Sequence, residues 1–188
     1  WHALGDPAAY TSPMLVTLAG VEQLLIVTGK RAMGLSTDGK LLWEYPWSPQ
    51  YDINAAQPIL IDADQFVISA GYGQGAALVR VTRTGDTFSA TTVWQNTRMK
   101  NKFTSSVLHR GHIYGLDEAI LACVNAETGE LKWKGGRYGY GQVIIAGDQL
   151  IVTTEDGDVA VVRATPERHD EIVRFSAMDG KTWNHPAF

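Results

Sequence analysis

Five positions that each open an apolar, β-prone run, Pro13, Pro58, Ser106, Gln142 and Pro186, lie 45, 48, 36 and 44 residues apart. The first four are followed by the same order of events: a short strand, a turn, a longer strand, and then two more strands joined by a second tight turn. A sheet that recurs about every 43 residues cannot cover its own two faces, so its apolar surfaces must close against copies of itself. Four short strands per unit is the pattern of a β-propeller blade. A β-sandwich of about seven strands, the main rival for an all-β chain, does not need the same opening and closing words in every unit.

The expected fold class is therefore all-β, with four-stranded antiparallel blades over residues 10–47, 54–94, 103–134 and 142–176. In the first blade the strands are expected at 14–18, 23–28, 32–35 and 40–43. In the second they fall at 59–61, 65–70 and 77–81, with a delayed last strand reaching Trp94. Residues 107–108, 113–116, 120–124 and 131–133 serve the third, and 143–146, 149–154, 159–163 and 171–175 the fourth. Residues 1–9 read as the end of a preceding blade and residues 182–188 as the start of a following one. The chain thus reads as an open arc, a piece of a longer propeller.

The clearest unit is Cys123-Val124-Asn125-Ala126-Glu127-Thr128-Gly129-Glu130-Leu131-Lys132-Trp133. Glycine tolerates positive φ, and Asx or hydroxyl side chains bond the turn backbone, so Asn125, Thr128 and Gly129 make a hairpin turn. Leu131 and Trp133 then alternate with Glu130 and Lys132 on the returning strand. A tryptophan there is large enough to cross to the next blade, burying about 200 Å² and donating its indole N–H to a neighbouring carbonyl. Ser36-Thr37-Asp38-Gly39-Lys40-Leu41-Leu42-Trp43 is a copy one residue shorter, and Thr84-Gly85 to Trp94 is a stretched one. The fourth unit has Ala164-Thr165-Pro166-Glu167-Arg168-His169-Asp170 instead and no tryptophan. Trp43, Trp94 and Trp133, with Gly39, Thr128 and Gly129, are the expected fasteners between blades.

The 125–133 word resembles the tryptophan-docking motif of the pyrroloquinoline-quinone-like repeat, Asp-x-x-Thr-Gly-x-x-x-Trp, with Asn125 where Asp is usual. This repeat family builds eight-bladed propellers, so the resemblance implies about four blades of eight. Its members include quinone-dependent alcohol and sugar dehydrogenases, outer-membrane assembly lipoproteins of the BamB type, and many extracytoplasmic bacterial proteins related by repeats alone. The wording Trp43-Glu44-Tyr45-Pro46-Trp47, then Tyr51-Asp52-Ile53-Asn54-Ala55-Ala56-Gln57-Pro58, is similar to the last group. The resemblance implies a periplasmic or otherwise extracytoplasmic location and a non-catalytic binding scaffold. The alternative it leaves open is a fragment of a dehydrogenase that holds pyrroloquinoline quinone and calcium in the central channel. Many of those enzymes carry adjacent cysteines over the quinone, whereas Cys123 is the single cysteine here.

Composition narrows the partners. Net charge is −4, and the 16 basic residues gather in no run longer than Lys30-Arg31, so no stripe for nucleic acid exists. No apolar run approaches the roughly 18 residues that a membrane-spanning helix needs. Cys123 cannot pair within the chain and is expected to pack as a small apolar residue.

Motifs that carry chemistry elsewhere read here as turns. Gly71-Tyr72-Gly73-Gln74-Gly75 leads into a strand and not into the helix N-terminus that a phosphate loop requires. His109 and His112 sit at a hairpin tip without a third ligand, and Glu155-Asp156-Gly157-Asp158 lacks the ligand ladder of a calcium loop. No catalytic, cofactor or metal residues are therefore assigned, and no cofactor is expected. If the chain binds a protein or small ligand, propeller geometry places the site at the channel mouth, where the loops entering each first strand converge. The candidates there are Asp52, Asn54, Lys100, Lys102, Tyr140 and His185. Otherwise the partners are the other blades of the same propeller.

Overall fold

The computed structural model describes residues 1–186. It contains sixteen strands in four sheets of four. The first blade holds β1 (Met14–Leu18), β2 (Val21–Val27), β3 (Arg31–Leu35) and β4 (Leu41–Pro46); the second holds β5 (Ile59–Leu60), β6 (Gln65–Ala70), β7 (Gly75–Thr84) and β8 (Thr87–Asn96). The third holds β9 (Val107–His109), β10 (His112–Asp117), β11 (Ile120–Asn125) and β12 (Leu131–Arg137), and the fourth β13 (Gln142–Ala146), β14 (Gln149–Thr153), β15 (Asp158–Arg163) and β16 (Glu171–Ser176). Within each blade every strand pairs antiparallel with its neighbour in sequence, and the arc does not close. No helix among the described residues is long and apolar enough to cross a membrane.

Register explains why the blades stack. Side chains alternate between the two faces of a sheet, so cross-strand partners share a face. One partner row runs Met14–Leu25–Gly34–Trp43 across the first blade, Ile59–Val67–Leu78–Trp94 across the second and Val107–Tyr114–Cys123–Trp133 across the third. Each of these rows faces the following blade. The adjacent row, Leu108–Ile113–Val124–Leu131 in the third blade, faces back, and its residues pack in one cluster with Val67, Leu78 and Trp94. Leu150 and Val162 of the fourth blade join Tyr114, Cys123 and Trp133 in the same way. Each seam is thus an apolar double layer from which water is excluded.

Two rows have no such cover. Ile144–Ile151–Val161–Val173 ends the fourth blade, where Val173, 46% exposed, occupies the register that tryptophan holds in the other three. At the other end the row Leu15–Leu24–Leu35–Leu41 leaves Leu15 61% exposed, while the Trp1 to Asp6 segment lies beside Leu35. Residues 182–186 make no strand pairing, and 187–188 of the expected opening strand lie outside the described residues.

The second blade departs from expectation. Its last two strands run ten residues each, because Gly85 at φ 62° turns the chain tightly enough for the ladder to continue to Thr84 opposite Thr87. Six ladder pairs separate the Leu78–Trp94 pair from that turn, against one pair beyond Cys123–Trp133 in the third blade. The hairpin therefore carries its turn far out from the seam.

Candidate functional site

The strand that enters each blade is preceded by a crossover from the blade before, and all crossovers emerge at one end of the arc together with the turns joining second and third strands. Two glutamines organise this end. The Gln57 side chain accepts from Ser12 N at 3.0 Å and donates to Ser12 O at 2.8 Å, while its backbone N–H donates to Ser105 Oγ at 3.0 Å. Gln142 Nε2 donates to the carbonyls of Phe103 and Trp183, at 2.9 and 3.0 Å. Each glutamine stands at the entry to its own blade and ties the segment that enters the preceding blade to the segment that follows its own.

Above this ring three aromatic side chains converge on Lys102. Its ammonium lies 4.7 Å from the ring centre of Tyr72, 4.7 Å from that of Tyr140 and 5.4 Å from that of Phe103. The three rings come from the β6–β7 turn, the β12–β13 crossover and the β8–β9 crossover. Tyr51 stacks edge-on against Tyr72 at 5.6 Å, and Trp183 packs on Phe103 at 5.5 Å. The outer members are well exposed, Tyr51 by 71% and Trp183 by 51%. A shallow groove lined by Tyr10, Ile53, Ala55 and Phe103 runs alongside. An ammonium over several ring faces is attracted by their quadrupoles, so the cage fixes the position of a positive charge.

Of the six residues expected at the channel mouth, the structure brings Lys102 and Tyr140 together. The others serve the loops. Asp52 accepts from Ser48 Oγ at 3.0 Å in a turn where Tyr51 and Asp52 both hold positive φ. Asn54 is buried and donates to the carbonyls of Thr28 and Trp47. Lys100 and Lys134 share the buried carboxylate of Asp117. His185 is exposed, with Nδ1 close to the carbonyl of its neighbour Pro186.

Sequence reasoning missed Tyr72, Phe103, Trp183 and the two glutamines. A signal was present, since Tyr10, Phe103 and Trp183 each stand three residues before an opener at Pro13, Ser106 or Pro186. It also missed Glu155, whose Oε1 accepts from Lys181 Nζ at 2.9 Å and Trp183 Nε1 at 3.1 Å while Oε2 accepts from the Tyr140 N–H at 3.3 Å. The Lys181 hydrogen bond is the chief reason that the Glu155 carboxyl titrates below its usual range.

At the opposite end lie the turns between third and fourth strands. Asn125 Oδ1 accepts from the Glu127 and Thr128 N–H groups and from Thr128 Oγ1, which closes an Asx turn. Trp94 reaches across to that turn, donating to Ala126 O at 3.0 Å and lying against Gly129. Trp133 donates to Thr165 O at 2.8 Å in the next blade. Trp1 donates to Thr37 O at 2.9 Å and lies against Gly39. Trp43 differs: its N–H goes to Gln23 Oε1 within its own blade, and its ring meets Phe66 of the next at 5.5 Å. The long β7–β8 hairpin explains this, because it removes the turn that would offer Trp43 a carbonyl.

The remaining candidate motifs are turns here as well. The Gly71 to Gly75 stretch joins β6 to β7. His109 Nε2 lies 2.8 Å from Asp148 Oδ1, and His112 Nδ1 lies 3.1 Å from Arg110 O. Among the described residues no three His, Cys, Asp or Glu side chains converge as a metal site would require.

Comparison with known proteins agrees with this architecture. A search of curated proteins finds no match. Among solved structures, BamB from Moraxella catarrhalis is similar at 16% identity and a TM-score of 0.61, over 85% of this chain and 49% of that one. The Cps50 (Swd1) β-propeller domain from Myceliophteria thermophila is similar at 16% identity and a TM-score of 0.54, over 82% of this chain and 56% of that domain. The chain thus spans about half the length of each, and at this identity they speak for the fold. The model of the family described as outer membrane protein assembly factor BamB matches residues 3–183, and the chain belongs to that family.

Proposed function

We propose that this chain is a non-catalytic, extracytoplasmic binding scaffold that presents the crossover end of its blades to a protein or small ligand. The carrying observation is the convergence on Lys102 of rings from three separate loops. Loops on a rigid sheet scaffold are where propellers place recognition, and exposed aromatic residues are the side chains that supply most energy at binding surfaces. Trp94 and Trp133 act in this reading as the docking tryptophans that hold the scaffold rigid. Family membership supports a location in the bacterial envelope and a protein among the partners.

No cofactor is part of this reading. The alternative is a segment of a quinone- and calcium-dependent dehydrogenase. Two carboxylates at the crossover end favour the scaffold, because Asp117 is engaged by two lysines and Glu155 by Lys181 and Trp183, which leaves neither as a free calcium ligand.

A photo-crosslinking residue at position 51 tests the scaffold, with position 41 at the opposite end as control. Adducts that form in envelope extracts at 51 and not at 41 are expected; equal labelling, or none, rejects the crossover end as the binding surface. Saturable binding of pyrroloquinoline quinone with calcium by the full-length parent, accompanied by dye reduction with alcohols or sugars, would establish the dehydrogenase instead.

A further inference from the structure

Lys102 is a half-buried cation that donates no hydrogen bond and meets no carboxylate among the described residues. Its neighbours are satisfied differently, Lys100 and Lys134 by Asp117 and Lys181 by Glu155. An ammonium has three N–H donors, and aromatic faces satisfy its charge without accepting those protons in the directional way an oxygen does. The cage therefore holds a charged donor in one place and leaves its donors available.

The surroundings describe the rest of the ligand. Tyr51, Tyr72, Phe103 and Trp183 form a chain of rings on both sides of the ammonium, with exposed faces at its two ends. Flat exposed rings suit a partner whose own faces are flat and carry C–H groups. This end of the arc is made of turns and crossovers, so an extended peptide finds no strand edge on which to add a hydrogen-bonded ladder. A sugar ring needs no ladder; it needs a stacking face and a few polar contacts.

Resting on the scaffold reading of the same surface, we propose that the crossover end binds acidic saccharides, with the carboxylate of a uronic acid unit accepting hydrogen bonds from Lys102 Nζ and adjacent sugar rings stacking on Tyr51 and Trp183. The groove lined by Tyr10, Ile53, Ala55 and Phe103 adjoins the cage at Phe103 and gives further sugar units a place beside the cation.

The test is titration of the folded chain with a galacturonic acid trisaccharide and, in parallel, a neutral galactose trisaccharide, followed by Trp fluorescence and by the side-chain amine resonance of Lys102. The uronate is expected to bind at least about tenfold more tightly, the scale of one charge-assisted hydrogen bond, and to shift the Lys102 resonance. Lys102→Met should abolish that preference without changing the melting temperature, Lys102→Arg should retain most of it, and Trp183→Ala should weaken both sugars. Equal affinity for the two sugars, a stationary Lys102 resonance, or tighter binding of an acidic peptide each overturns the proposal. Crosslinking of a partner at position 51 by a protein blind to uronate would overturn the saccharide and leave the scaffold reading intact.

Discussion

Trp94 rests on Gly129 of the next blade so closely that a β-carbon added to the glycine would stand 2.8 Å from the ring. The glycine is fixed twice over, since its φ of 72° is left-handed and its bare α-carbon is the surface on which the indole lies. Gly129→Ala should therefore destabilise the chain by about 1–3 kcal/mol, from overpacking and backbone strain together. Gly39→Ala meets Trp1 in the same way, but Trp1 is 69% exposed and free to move aside. Only the backbone term of about 1–2 kcal/mol should remain there. Urea unfolding of both variants checks the order; a larger loss at Gly39 contradicts it.

Truncation of Trp133 should be more damaging. The ring is 9% exposed, packs against Tyr114 and His169, and its N–H bridges to the fourth blade. Trp133→Ala is expected to lose about 3–5 kcal/mol, seen as an earlier denaturant midpoint with similar slope. A change near zero would show that the seam does not depend on it.

The seam between the third and fourth blades should also respond to acid. Glu171 accepts from Arg174 and from the Tyr138 hydroxyl, and the Arg174 hydrogen bond, opposed in part by burial, holds its carboxyl below the ordinary value of 4.5. A depressed folded pKa means that the unfolded chain takes up the proton first. The stabilisation is complete above the ordinary carboxylate range and disappears as pH falls through the lower folded value. Melting temperatures from pH 6 to pH 3 should fall more steeply for the wild type than for Glu171→Gln; parallel curves would remove Glu171 from the account.

Cys123 should be silent in the folded chain. It is fully buried beside Tyr114, and burial pushes its thiol up to about 12, which leaves almost no thiolate at neutral pH. A disulfide reagent should modify it no faster than the chain unfolds. Rapid stoichiometric labelling under native conditions would show that the third seam opens locally.

The repeat made the blades legible because turn chemistry and strand alternation are local properties. Asn125, Thr128 and Gly129 announce their turn in three letters, and the structure builds it from those atoms. Trp43 shows the limit. Its word matches that of Trp133, yet the direction of its N–H depends on how far a hairpin in the next blade extends. The proposed surface was half legible for a related reason. Lys102 and Tyr140 lie in crossovers that the repeat locates, whereas Tyr72 belongs to a turn inside a blade and reaches them only through the curvature of the arc. Distances between loops of different blades are set by stacking, which no single stretch of sequence encodes.

Gln57 and Gln142 have a mechanical implication. By joining the segment that enters the preceding blade to the one that follows their own, Ser12 to Ser105 and Phe103 to Trp183, they space alternate inner strands at a set pitch. At the outer strands the Trp94 and Trp133 indoles make the corresponding ties, to Ala126 O and Thr165 O of the next blade. With the second and third seams tied at both their inner and their outer edges, the blades cannot fan apart without breaking one of these bonds, and the rim that carries Lys102 keeps its spacing.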